Sequence, residues 1–147
     1  LIRPEFFSWK DWQRETPKVA HRILVTMGGS DPDNATLKVI QALRETRLPN
    51  LETKVVVGSA NSHLKAIIEA TGGFDGSIQV LENVSDMPNL MAWADMAVSA
   101  GGSTCGELAF MGLPALLLVL AENQVDVTAG LHRAGSAVDL GNQTLVT

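Results

Sequence analysis

The sequence predicts an α/β fold, a Rossmann-like doubly wound parallel sheet of about six strands. Six short apolar runs recur along the 147 residues, and each of the first five is followed by a stretch with helical spacing. Those runs are continuously apolar rather than alternating, as in a parallel sheet covered on both faces. Glycine-rich breakers also collect where strand gives way to helix. The length fits one domain with a sizeable core.

In chain order, residues 1–18 read as a lead-in or linker. Pro4 and Pro17 act as breakers, and Phe6, Phe7, Trp9 and Trp12 are apolar anchors expected to pack on the domain surface. An exposed docking patch is the alternative. The domain proper is expected over 19–147. "RILVTM" (22–27) predicts a first strand, and "ATLKVIQALRE" (35–45) a helix with Leu37, Ile40 and Leu43 on one face. "TKVVVG" (53–58) is a second strand, and "SHLKAIIEATGG" (62–73) a helix with a glycine stop. "SIQVLE" (77–82) is a third strand, with a short helix in "DMPNLMAWA" after it. "DMAVSA" (95–100), the helix "TCGELAFMG" and the strand "PALLLVL" (114–120) follow. "QVDVTAGLHRAG" (124–135) is a helix closed by Gly135, and "SAVDLG" (136–141) a sixth strand. Right-handed crossovers give the doubly wound order 3-2-1-4-5-6.

Composition narrows the function. A hydrophobic fraction of 46% with 18% charged residues excludes disorder, and a formal net charge of −5 argues against a nucleic-acid partner. The run "LPALLLVLA" (113–121) is too short to span a bilayer, so no stable membrane insertion is expected. The opening residues lack the apolar core of a signal peptide. A chain that starts at Leu1 reads as a fragment or processed product, cytoplasmic by default. One cysteine, Cys105, excludes an internal disulfide.

The two most glycine-rich turns, "GGSDPDN" (28–34) and "AGGSTCGE" (100–107), follow strands one and four. Those strands are neighbours in the expected order, so the turns should face each other across one crevice at the switch point. Gly28, Gly29, Gly101 and Gly102 would let backbone approach a phosphate, with helix N–H groups and the hydroxyls of Ser30, Ser103 and Thr104 as donors. Neither turn has the spacing of a P-loop or of the G-x-G-x-x-G fingerprint. A purely structural account competes. In it Asp31 is an N-cap with Pro32 at the first helical position, and Thr104-x-x-Glu107 is a capping box. Asp31 and Asp33 lack the rest of a calcium loop, so no metal is expected. Cys105 has no neighbouring base, and His21, His63 and His132 lack metal-ligand spacing.

"VLENVSDMPNLMAWADMAVSAGGSTCGELAFMGLPALLLVLAENQ" (80–124) resembles the carboxyl-terminal half of GT-B nucleotide-sugar enzymes, a group that includes the N-acetylglucosaminyltransferase of lipid II synthesis. "ILVTMGGSDPDNATLKVIQAL" (23–43) is similar to the UDP-sugar hydrolase of pseudaminic acid synthesis and to spore-coat polysaccharide biosynthesis proteins. The resemblance covers residues 20 to about 140. It implies a UDP-binding domain with no cofactor of its own. Gly28, Gly29 and Ser30 would lie near the diphosphate, and Val84 would meet uracil through its backbone. Gly102, Ser103 and Thr104 would cradle phosphate, Glu107 would accept from the ribose hydroxyls, and Asn123 and Gln124 would approach the sugar or its phosphate. The absence of tyrosine agrees with backbone recognition of the base.

The family's amino-terminal domain, with its own glycine-rich loop and catalytic histidine, has no counterpart here, nor do its closing helices after Thr147. The resemblance therefore implies a binding half without chemistry, from a UDP-sugar hydrolase of surface-glycan synthesis. A GT-B glycosyltransferase is the first alternative and a UDP-sugar epimerase the next. A flavodoxin-like or receiver-like module with no sugar chemistry is the alternative of a different class. A receiver wants an acidic cluster at its strand ends, where this chain offers Gly28 and Ser99.

Overall fold

The computed structural model describes residues 2–72 and 77–142. Six strands form one all-parallel sheet in the order β3-β2-β1-β4-β5-β6. They are β1 (Arg22–Thr26), β2 (Glu52–Val57), β3 (Ser77–Glu82), β4 (Met96–Ala100), β5 (Ala115–Val119) and β6 (Ala137–Asn142). The connecting helices are α1 (Ala35–Thr46), α2 (Leu64–Ala70), α3 (Met87–Trp93), α4 (Thr104–Phe110) and α5 (Val125–Arg133). This is the doubly wound order expected, with every element found within a few residues of its predicted place. The carboxyl end of the helix expected over 62–73 lies partly outside the described residues.

Side chains alternate across the central strands and build two cores. Ile23 and Val25 of β1, and Met27 just after it, face α1 and α2, where Ile40 and Ile67 are fully buried. Leu24 points the other way, into a core with Met91 of α3, Leu108 of α4 and Leu117 of β5. β1 and β4 pair at the centre, Val25 opposite Val98 and Thr26 opposite Ser99. Burial on both sheet faces is why these strands read as unbroken apolar runs.

Residues 2–14 lie across this second core. Pro4–Trp9 forms a 3-10 helix that buries Phe6 completely, its ring edge-on to Phe110 at 6.3 Å. Phe7 of the same turn is 60% exposed, so the four aromatics do not share one environment. Arg14 then donates to the carbonyls of Ala94 and Met91 at 2.6 Å each and of Met111 at 3.2 Å. These carbonyls end α3 and α4, where the helix dipole favours a cation and several acceptors lack intrahelical partners. Desolvation lowers the Arg14 pKa below the ordinary guanidinium value.

Candidate functional site

The turn after β1 and the turn after β4 lie side by side because their strands are paired neighbours. They floor two adjoining cavities that share Gly28, Gly29, Ser103 and Thr104. One, of about 400 Å³, runs over Val56, Val84 and Met87 to Glu107. The other, of about 380 Å³, extends past Ser30 and Gly102 to Gln124. Both open at the carboxyl ends of the strands, where open α/β sheets bind ligands.

The β1–α1 turn is held by its acids. Asp31 is 2% exposed, and its carboxylate accepts from the Ala35 and Thr36 backbone at 2.8 and 2.9 Å and from the Thr36 hydroxyl at 2.6 Å. Asn34 accepts from the Leu37 N–H at 3.3 Å. Two expectations are corrected by this. The helix starts at Ala35 behind a left-handed Asn34, so Asp31 is not the N-cap residue and Pro32 is not at the first helical position. Asp31 still caps the helix, from three residues further back. Its carboxylate and Asn34 also occupy the α1 donors that a phosphate was expected to use. The turn presents Gly28, Gly29 and Ser30 to the cavities, with Asp31 and Pro32 also lining the one of about 380 Å³.

The α4 turn differs. No side chain caps this helix, whose N-cap residue is Ser103. Thr104 is already helical, so Glu107 falls one position beyond the reach of a capping box, and that expectation is corrected as well. Instead both carboxylate oxygens of Glu107 accept from Arg3, Nε at 2.7 Å and Nη2 at 2.7 Å, with the Arg3 backbone N–H at 3.3 Å. Glu107 is 3% exposed. A buried carboxylate needs a cation, and the guanidinium fork matches its geometry. The Glu107 hydrogen bond raises the Arg3 pKa, against a smaller opposing effect of burial.

Of the expected site residues, Gly28, Gly29, Ser30, Val84, Gly102, Ser103, Thr104, Glu107 and Gln124 all line one cavity or the other. Two do not. Gly101 is buried beneath the cleft, where a Cβ would sit 2.0 Å from the Thr128 hydroxyl, and its N–H donates to the Leu118 carbonyl at 3.0 Å. Asn123 is exposed on the 3-10 turn Glu122–Gln124 and lines neither cavity. Gln124 accepts from the Leu120 N–H through Oε1 at 2.9 Å, which holds its amide nitrogen over Gly102. Arg3, Ser59 and Asn83 also line the larger cavity and were not anticipated. Arg3 is the one basic side chain lining either cavity among the described residues.

Cys105 is buried with its thiol donating to the Ala100 carbonyl at 3.5 Å, and desolvation raises its pKa. Neither feature fits a nucleophile. Among the described residues no three His, Cys, Asp or Glu side chains converge to hold a metal ion, and no helix is long and apolar enough to cross a membrane.

Known proteins share this architecture. Spore coat polysaccharide biosynthesis protein SpsG of Bacillus subtilis is 35% identical over 99% of this chain and 43% of its own length. The UDP-N-acetylglucosamine--N-acetylmuramyl-(pentapeptide) pyrophosphoryl-undecaprenol N-acetylglucosamine transferase of Salinibacter ruber is 33% identical over 84% of this chain and 35% of its own length. The chain thus spans less than half the length of these relatives. A crystal structure of Acinetobacter baumannii MurG superimposes with a TM-score of 0.76 at 23% identity, over 90% of this chain and 39% of that one, and so shares the fold. Residues 22–145 match the glycosyltransferase family 28 C-terminal domain, and the chain belongs to that family.

Proposed function

We propose that the chain is the nucleotide-sugar-binding half of a GT-B glycosyltransferase and that it holds the UDP portion of a UDP-sugar donor. Residues 19–147 form the binding unit in this reading and 1–18 are its lead-in, of which 2–14 lie across the core. The observation that carries it is Glu107, a carboxylate 3% exposed at one end of a cleft floored by two glycine-rich turns. A carboxylate has about four lone-pair sites, and the three Arg3 contacts, two to Oε2 and one to Oε1, leave one site on Oε1 for a ribose hydroxyl. The base then lies toward Val84 and Met87, with Val84 offering its backbone. The diphosphate crosses Gly28–Ser30 and Gly102–Thr104, and the sugar reaches Gln124.

In the transfer step the bond from the anomeric carbon to the diphosphate breaks as an acceptor oxygen attacks that carbon. Negative charge grows on the leaving UDP, and backbone N–H groups and hydroxyls of the two turns are placed to hold it. The base that takes the acceptor proton comes from a partner domain outside this chain. Hydrolysis of a UDP-sugar uses the same half-site with water as acceptor. Family membership and the transferase among the relatives favour transfer. The product belongs to surface-polysaccharide or peptidoglycan-type glycan synthesis, by the names of those relatives.

The test is a calorimetric titration with UDP, using ADP and orthophosphate as controls. Saturable binding that prefers UDP supports the reading. A folded chain that binds ADP or orthophosphate equally well, or nothing at all, overturns it. In the full-length protein, UDP release that depends on an added acceptor separates transfer from hydrolysis.

A further inference from the structure

The loop after β2 carries none of the residues expected to bind, yet it touches the β1–α1 turn at both ends. A Cβ placed on Gly58 would lie 2.4 Å from the Gly29 carbonyl oxygen, 2.6 Å from its Cα and 2.7 Å from its carbonyl carbon. The obstacle is main chain, which has no rotamer to move aside. Gly58 is not in the left-handed region, so glycine is required here for space and not for its dihedral freedom. Five residues on, Nε2 of His63 lies 2.9 Å from the Pro32 carbonyl and donates to it. The loop between them is itself ordered. The Asn61 N–H donates to the Gly58 carbonyl at 3.1 Å, and the His63 N–H to Asn61 Oδ1 at 2.7 Å.

The turn so braced needs bracing. Gly28, Asp31 and Asn34 have φ of 85°, 42° and 52°, which puts two non-glycine residues in the left-handed region within four positions. Such backbone costs of the order of 1–3 kcal/mol per residue and persists only where its surroundings hold it. Asp31 and Asn34 tie the turn to α1, but nothing in those bonds fixes Gly28 and Gly29 over the cleft.

We infer that Gly58 and His63 are positioning residues that set Gly28–Pro32 at the distance from the α4 turn that a nucleoside diphosphate requires. The inference rests on the UDP reading above and adds two residues to it. Gly58 fixes how closely the turn approaches β2, and His63 fixes its far end. Gly58 lines the larger cavity together with Val84 and Glu107, whereas His63 lines neither cavity. Loss of the His63 brace should therefore act on the phosphates and spare the nucleoside, while Gly58→Ala should weigh more on the phosphates than on the nucleoside.

Gly58→Ala and His63→Ala are titrated with UDP and with uridine, alongside Gly130→Ala, a helix glycine with open space around it. Gly58→Ala, whose methyl also adjoins the larger cavity, should weaken UDP by about tenfold or more and uridine by less. His63→Ala should weaken UDP by about threefold and leave uridine unchanged, and Gly130→Ala should change neither. In amide spectra of the free chain, Gly28, Gly29 and Ser30 should shift in both loop variants. Unchanged UDP affinity with unmoved resonances overturns the inference. Equal losses for UDP and uridine also overturn it, because they mark a merely structural role. If the unmodified chain binds no UDP, the proposed function fails, and the amide shifts still decide whether the loop sets the turn. If Gly58→Ala does not fold, His63→Ala decides alone.

Discussion

Removing the partner of a buried charge is a sharper test than removing the charge. Arg3→Ala leaves the Glu107 carboxylate enclosed with no cation, and should cost about 1–3 kcal/mol in a denaturant melt. That figure is kept low because the Arg3 side chain is 47% exposed, so water enters once it is gone. Arg3→Lys should recover only part of the loss, since an ammonium cannot reproduce the two-pronged contact. Glu107→Gln combined with Arg3→Ala should lose less than the sum of the two single changes. The sign of the pH effect follows from the raised Arg3 pKa. Stability from the pair is present below the ordinary guanidinium value and is lost only as pH climbs through the higher folded one. The Arg3→Ala deficit should therefore be flat between pH 7 and 10, about the practical range of such melts. Glu107 was singled out in the sequence, as a cap by spacing and as a ribose acceptor by resemblance, but its partner Arg3 was not. The contact spans 104 positions, and a single arginine beside a proline carries no periodic signal.

At the scale of elements, sequence reading succeeded where a period decides and failed where a turn decides. Strands buried on both faces announce themselves by aliphatic runs, and β1 through β6 were found near their expected bounds. Helix caps depend on local backbone that no period encodes. The helical spacing put α1 at residue 35, where it begins, but the capping account of Asp31-Pro32 failed because Asp31 and Asn34 are left-handed and Asn34 is the N-cap residue. Thr104 and Glu107 have the right spacing for a capping box but the wrong phase. Helices α3 and α4 share one stop at their carboxyl ends, the Arg14 guanidinium. Arg14→Ala should cost about 1–3 kcal/mol by removing the donor to the Ala94 and Met91 carbonyls, while Trp12 Nε1 still donates to that of Met111, read from chemical denaturation. In α5, Gly130→Ala should instead raise stability by about 0.5–1 kcal/mol, because helix propensity rises and the new methyl meets nothing within 4 Å.

Over the whole molecule, the sheet centre makes the cleft and residues 2–14 make it durable. Phe6 is fully buried in the core that α3 and α4 share, so Phe6→Ala should cost about 3–5 kcal/mol in a melt followed by circular dichroism. The loss should appear as one lowered transition, with no early phase confined to the lead-in. UDP at a hundredfold excess over its Kd should add about 2.7 kcal/mol to the same unfolding free energy. That shift is absent if the cleft is only a structural junction. The lead-in was read as a linker because its prolines and scattered aromatics show no repeat. Its partners lie in α3, α4 and the residues that follow each, which sequence spacing could not bring to it.

Arg14 has a practical bearing on how variants of this fold are ranked. It holds the tails of two helices whose heads line the cleft, and α4 is seven residues, or about 10 Å, long. Any slackening at the tails tilts Met87, Ser103 and Thr104 together. A mutational survey that sorts positions by nearness to the ligand would file Arg14 among the harmless ones. A survey scored on binding would return it beside the residues that line the cleft, and the two maps would disagree at a residue one helix length away from it.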